Sequence, residues 1–281
     1  MEAIATQLAN GMVVGTTIAL TALGLTLIFG IMHIVNLSHG EFYAMGAYFT
    51  WAAYTVLNNF WVSAAVGIVA TAVLGATLLM IFYGKLANAG PLRWALLTLG
   101  FGYVLREVLQ LVFGTDFKLI PPPLEGTIPG VGGVYRIAIT LAGLVLIFMF
   151  ALFLKKTRQG VLIRAIASNR DAAAIVGVST RAIYTKVAVI SAGLAGAAGA
   201  FMLPVTTAYP TMGLEIMIMA FVVVVVGGMG NIQGALIASI LAGLAQSLLT
   251  LVVEPKTATI TVLVVFMLVL IMRREGLQKL W

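Results

Sequence analysis

The chain has 281 residues, of which 62% are hydrophobic and 9% charged, and its mean hydropathy is +1.11. Soluble domains carry about 25% charged residues, so this composition lacks the polar atoms to coat a water-facing globule. It excludes a soluble enzyme, a nucleic-acid-binding domain and a disordered chain. The net charge of +7 comes without a basic cluster on a soluble face, and the absence of cysteine removes disulfides, thiolate nucleophiles and sulfur-ligated metals. What remains is an all-α polytopic membrane protein, read as one transmembrane domain over residues 1–281.

A bilayer-spanning helix needs about 20 mostly apolar residues. The first apolar segment, 5–31, carries the pair Gly11 and Gly15 at helical spacing, a close-packing face between membrane helices. Its start holds Glu2 and no basic region, unlike a cleaved signal peptide. Segment 41–57 follows a break, Asn36-Leu37-Ser38-His39-Gly40-Glu41, whose polar groups must meet one another, backbone ends or water. Two readings stand for Asn36, Ser38, His39 and Glu41. They line the translocation route or its gate, as half-helix ends do in transporters, or they cap helices at the cytoplasmic interface. His39 and Glu41 do not make a metal site, because His33 is the only other histidine.

Segments 61–84 and 94–113 come next, the latter holding Arg106 and Glu107. A charge at the bilayer centre costs about 2.5–3.5 kcal/mol on insertion scales, and adjacent helix positions point apart, so these two do not neutralise each other. Arg106 either snorkels or pairs structurally, or it contacts an anionic substrate group. Residues 114–136 hold four of the eight prolines and read as an ordered, irregular external loop.

After segment 137–154 comes the loop 155–186. Its Ser168-Asn169-Arg170-Asp171 matches a capping box, in which Ser168 and Asp171 each satisfy an orphan amide. Asp171 to Val176 then forms a short helix ended by Gly177, and Ser179 or Thr180 opens the next. The short helix, flanked by Arg164, Arg170 and Arg181, is either a knob for a partner's groove or a cover for the end of the membrane domain. Segment 187–203 contains Gly193, Gly196 and Gly199 in a run of small residues, another close-packing face.

Segments 214–230, 234–253 and 257–272 complete the chain, with helix discontinuities expected near 32–40 and within 204–234. The total is eight or nine crossings, depending on which turns are helix breaks at membrane depth. The run Gly227-Gly228-Met229-Gly230-Asn231-Ile232-Gln233-Gly234 fails as a nucleotide loop. Gln233 stands where a third glycine is needed, and no Gly-Lys-Ser/Thr ending occurs. It reads as small residues breaking two membrane helices. Twelve of the sixteen basic residues, including Lys85, Arg93, the seven of 155–186, Arg273, Arg274 and Lys279, fall on one side under nine crossings. Basic loops stay cytoplasmic, which puts the 155–186 loop and the C-terminus in the cytoplasm.

Asp171-Ala172-Ala173 with Gly177 resembles the EAA-x-x-x-G coupling loop of bacterial ABC importer permeases. With Asn36–Glu41, Met45–Tyr48, Arg164–Gly177 and Gly227–Gly230 followed by Gly234-Ala235, the chain resembles branched-chain amino acid permeases of the LivH type. Asp171 replaces the motif's glutamate, Met219 stands where some relatives carry lysine, and Asn231 and Gln233 replace serine and proline.

The resemblance implies an importer permease in a bacterial inner membrane, itself without catalytic residues or cofactor. It would work with a second permease subunit of LivM type, two cytosolic ATPases using ATP and Mg, and an external substrate-binding protein. Arg170, Asp171, Ala172, Ala173, Ala174 and Gly177 would couple to the ATPases. Asn36, Ser38, His39, Glu41, Arg106, Gly227, Gly228, Gly230 and Asn231 are the pathway or gate candidates. The same architecture could carry urea, short amides or other amino acids, and a self-sufficient secondary transporter is the reading from another class.

Overall fold

The computed structural model describes residues 2–86, 90–128 and 132–272. The expected C-terminal basic cluster Arg273, Arg274 and Lys279 lies outside the described residues. The elements are α1 (Glu2–Met32), α2 (His39–Leu57), α3 (Phe60–Leu86), α4 (Pro91–Phe113), the two-residue strands β1 (Thr127–Ile128) and β2 (Gly132–Gly133), α5 (Val134–Lys156), α6 (Arg158–Ser168), α7 (Arg170–Ile175), α8 (Thr180–Met202), α9 (Met212–Gly227), α10 (Ile232–Leu249) and α11 (Pro255–Met272).

All nine expected apolar segments form helices. Seven are long and apolar enough to cross a membrane, α2 is more polar, and α9 has only 16 residues. At 1.5 Å per residue α9 rises about 24 Å, short of a hydrocarbon core of about 30 Å. The largest boundary difference is at α8, which begins at Thr180 rather than near 187. Ser179 caps it by accepting the Ala182 amide, so the helix starts where its amides are satisfied, two turns before its apolar run.

Helix α1 is the axis of the bundle, packed by α5, α8, α9 and α10. The Gly11 and Gly15 face is the seat of α10. A Cβ on Gly11 would lie 2.9 Å from the Leu244 Cα, and one on Gly15 3.1 Å from the Ile240 Cα. Among the membrane helices, α4 packs chiefly on α2 and leaves most of its surface open.

The breaks lie halfway along α1. The His39 ring, at the start of α2, reaches the Thr21 carbonyl at 3.1 Å, and Thr21 is eleven residues, about 16 Å, from the α1 C-terminus. Met202, ending α8, is the sulfur partner of the Thr17 hydroxyl at 3.7 Å. Residues 33–38 and 203–211 are therefore irregular backbone reaching the middle of α1, in agreement with the discontinuities expected near 32–40 and within 204–234. The third interruption, 228–231, separates α9 from α10, with Gly228 and Gly230 at φ +97° and +87°. Among the described residues the loop after α4 is irregular apart from the antiparallel pairing of β1 with β2, and Lys118 pairs with Ala208 of the second break through backbone hydrogen bonds of 2.9 and 2.8 Å.

Candidate functional site: two helix breaks and a terminal knob

The first break is held by its own polar atoms. The Asn36 side-chain oxygen accepts the Ser38 amide at 3.1 Å and the Ser38 hydroxyl at 2.7 Å, so Asn36 rather than Ser38 organises the first turn of α2. Thr98 of α4 accepts the Leu37 amide at 3.0 Å, which ties the extended segment to α4. His39 is fully buried, and because Thr21 offers a carbonyl, ring Nε2 carries the proton and donates.

Glu41 and Arg106 resolve the question left by the sequence. They form an ion pair of 2.5 Å in the protein interior, with side chains only 4% and 11% exposed. The Arg106 guanidinium also lies 5.3 Å from the centre of the Tyr103 ring. Its helix neighbour Glu107 points the other way and is exposed. Arg106 therefore pairs structurally, bridging α4 to the start of α2, and does not snorkel.

Gly213, in the first turn of α9, lies against the opposite side of Glu41. A Cβ there would fall 2.8 Å from the Glu41 Oε2 and 2.8 Å from the Gly40 carbonyl oxygen. The first turn of α2 is thus clamped between α4 and α9. Ser38, His39 and Glu41 are enclosed by the chain's own packing. Asn36 and Ser38 border an apolar cavity walled by Leu78, Phe82, Trp94 and Phe101.

At the third interruption, Gly227 crosses α10 so tightly that a Cβ would lie 2.5 Å from the Ala235 amide nitrogen. Asn231 caps α10 by accepting the Gly234 amide at 2.8 Å. Gly230 meets Gly30 of α1 backbone to backbone. These are packing and capping roles for Gly227, Gly228, Gly230 and Asn231, on geometry that brings three helices together.

The knob is α7, at the end of the bundle where α1 finishes. Its cap is Asn169, which accepts the Ala172 amide at 2.9 Å. The expected Ser168–Asp171 capping box is corrected on this point, because α6 continues through Ser168 and leaves Asn169 as the first extended residue. Replacing Asn169 by alanine is expected to cost about 1 kcal/mol of local stability, measurable as faster amide exchange over 170–175 with the membrane helices unchanged.

Gly177, at φ +85°, ends the turn as expected. Ala173 alone of α7 is buried, whereas Asp171, Ala172, Ala174 and Gly177 face outward, and Arg170 lies 5.9 Å over the Tyr184 ring of α8. Sequence reasoning passed over the two most prominent side chains, Ile175 and Val176, which are 85% and 78% exposed. The available signal was two bulky apolar residues just before a turn-ending glycine in a polar loop. Also unforeseen was Tyr209, whose hydroxyl donates to the exposed Glu215 at 2.6 Å across the second break.

A bundle of membrane-length helices interrupted beside the middle of α1, with an apolar-tipped knob at one end, describes an all-α polytopic membrane protein. The chain belongs to the family described as the branched-chain amino acid transport system permease component, whose model matches residues 7–272. It is 28% identical over 289 residues to the high-affinity branched-chain amino acid permease BraD of Pseudomonas aeruginosa, covering 96% of this chain and 94% of BraD. It is 26% identical to LivH of Escherichia coli K12 over the same shares. With a probable LivH of Methanocaldococcus jannaschii, identity is 28% across 86% of this chain and 80% of that one. No solved structure matches.

Proposed function

We propose that this chain is the permease subunit of an ATP-driven importer for branched-chain or similar hydrophobic amino acids in a bacterial inner membrane. The 155–186 loop and the C-terminus face the cytoplasm. Two cytosolic ATPases grip α7, a second permease subunit completes the pathway, and an external binding protein delivers substrate. ATP and Mg belong to the ATPases. This chain supplies route and lever.

The observation that carries the reading is the α7 tip. Ile175 and Val176 present apolar surface to water at the end of a turn capped by Asn169 and seated through Ala173, and adjoining exposed apolar side chains in a polar loop mark a protein contact surface. The relatives' description as components of branched-chain amino acid transport systems supports both substrate class and partners.

The knob has a mechanical path inward. Arg170 stacks on Tyr184 of α8, Lys186 donates to Gln159 at 2.7 Å, and Arg164 donates to the Leu154 carbonyl. Helix α8 then runs from the knob to the second break. Movement of α7 is carried by α8 to the depth where α2 and α9 begin.

Changing Ile175 and Val176 to aspartate should lower transport and substrate-stimulated ATP hydrolysis by about tenfold or more. Both side chains point away from the chain, so the melting temperature of the permease should stay unchanged. Unaltered transport in reconstituted vesicles would remove the coupling role. Ion-gradient-driven uptake by this chain alone would favour a secondary transporter.

A further inference from the structure

The exposed helix faces differ in one respect. The stripes on α3 (Val66, Val69, Val73), α5 (Leu141, Val145, Phe148) and α11 (Ile260, Val264, Leu268) are apolar, as a lipid contact requires. The stripe on α4 runs Leu96, Tyr103, Val104, Val108 and Leu111, and in its middle stands Glu107, exposed and with no partner among the described residues. One position away, Arg106 is already committed to Glu41, so Glu107 has no neutralising neighbour. Its depth follows from that pair, since Glu41 lies in the first turn of α2, beside a break halfway along α1. A carboxylate at this depth facing hydrocarbon is strongly disfavoured.

The α9 side of the same α2 turn carries the other exposed carboxylate near a break, Glu215. Glu215 is held by the Tyr209 hydroxyl, so of the two only Glu107 lacks a partner among the described residues, and the middle turns of the α3, α5 and α11 stripes bear no ionisable group.

We propose that the α4 stripe is the face that docks the second, LivM-type permease subunit, and that this subunit supplies a cation or hydrogen-bond donor to Glu107. The proposal rests on the importer reading given above. The charge pattern favours an unlike partner. A second copy meeting through the same stripe about a twofold axis would set two Glu107 carboxylates against each other in a low-dielectric interface.

The test is photo-cross-linking in membranes of cells expressing the whole importer, with benzoylphenylalanine placed at Val108 on α4 or at Val145 on α5. The expected result is an adduct between position 108 and the unlike permease, with position 145 reacting only with lipid. An adduct with a second copy of this chain, or lipid labelling at 108 matching that at 145, would overturn the proposal. Copurification of a second permease with the parent chain is scored separately. Its absence would sink the importer reading as well, whereas its presence without the adduct at 108 sinks only the assignment of this face.

As a second readout, Glu107→Leu should reduce the copurifying second permease by about tenfold, with Glu107→Gln retaining more than the leucine variant. Undiminished copurification with Glu107→Leu would count against the proposed contact.

Discussion

Removing the Arg106 side chain, by Arg106→Met, is expected to destabilise the protein by about 3–5 kcal/mol, because it strands the Glu41 carboxylate in the interior. Glu41 is 3% exposed, its Oε2 has no partner among the described residues, and its other oxygen is held by Arg106 at 2.5 Å. The double variant Glu41→Leu/Arg106→Met replaces the pair with apolar groups of similar reach and should recover most of the loss. Thermal unfolding of the detergent-solubilised chain measures both. A single variant as stable as the parent would mean that water reaches the pair. If the double variant regains stability without transport, the pair acts in the conformational cycle as well as in holding α4 to α2.

The second large effect is expected where α2 and α8 cross. A Cβ on Gly46 would lie 2.5 Å from the Gly196 Cα, and one on Gly199 would lie 2.8 Å from the Tyr43 carbonyl carbon. Those neighbours are backbone atoms and cannot rotate away. Gly46→Val or Gly199→Val should therefore force the helices apart, at a cost beyond the roughly 1–3 kcal/mol usual for overpacking, and should show as loss of folded protein on size-exclusion chromatography. Gly193→Ala is the internal control. Its nearest atom would be the Ala72 Cβ at 3.5 Å, an ordinary contact, so its yield and melting temperature should match the parent. Equal behaviour of Gly193→Ala and Gly199→Val would show that the crossing is not held by close backbone approach.

These two sites mark how far the sequence could be read. Hydropathy located every membrane helix, since each one buries its own amides and needs an apolar run to do so. The breaks were also legible, because Asn36, Ser38 and His39 between apolar stretches have to satisfy one another. The glycine run 193–199 announced close packing, but its pattern alone could not say that Gly196 and Gly199 touch α2 and α3 whereas Gly193 has room. The pairing of Glu41 with Arg106 joins residues 65 apart, and periodicity carries no information about which distant helix a charge will meet. The cap of α7 was misplaced by one residue because Ser168 and Asn169 are both good caps, and only the length of α6 decides between them.

The crossing has a geometric consequence for transport. If α8 rocks about Gly196, its arms are unequal, about 24 Å back to Thr180 and about 9 Å onward to Met202. A swing of about 5 Å beside the knob would then arrive at the second break as about 2 Å, with force multiplied in the same ratio. The rod works as a reducing gear, trading a broad stroke outside the bilayer for a short, forceful one where a few well-placed contacts have to give way.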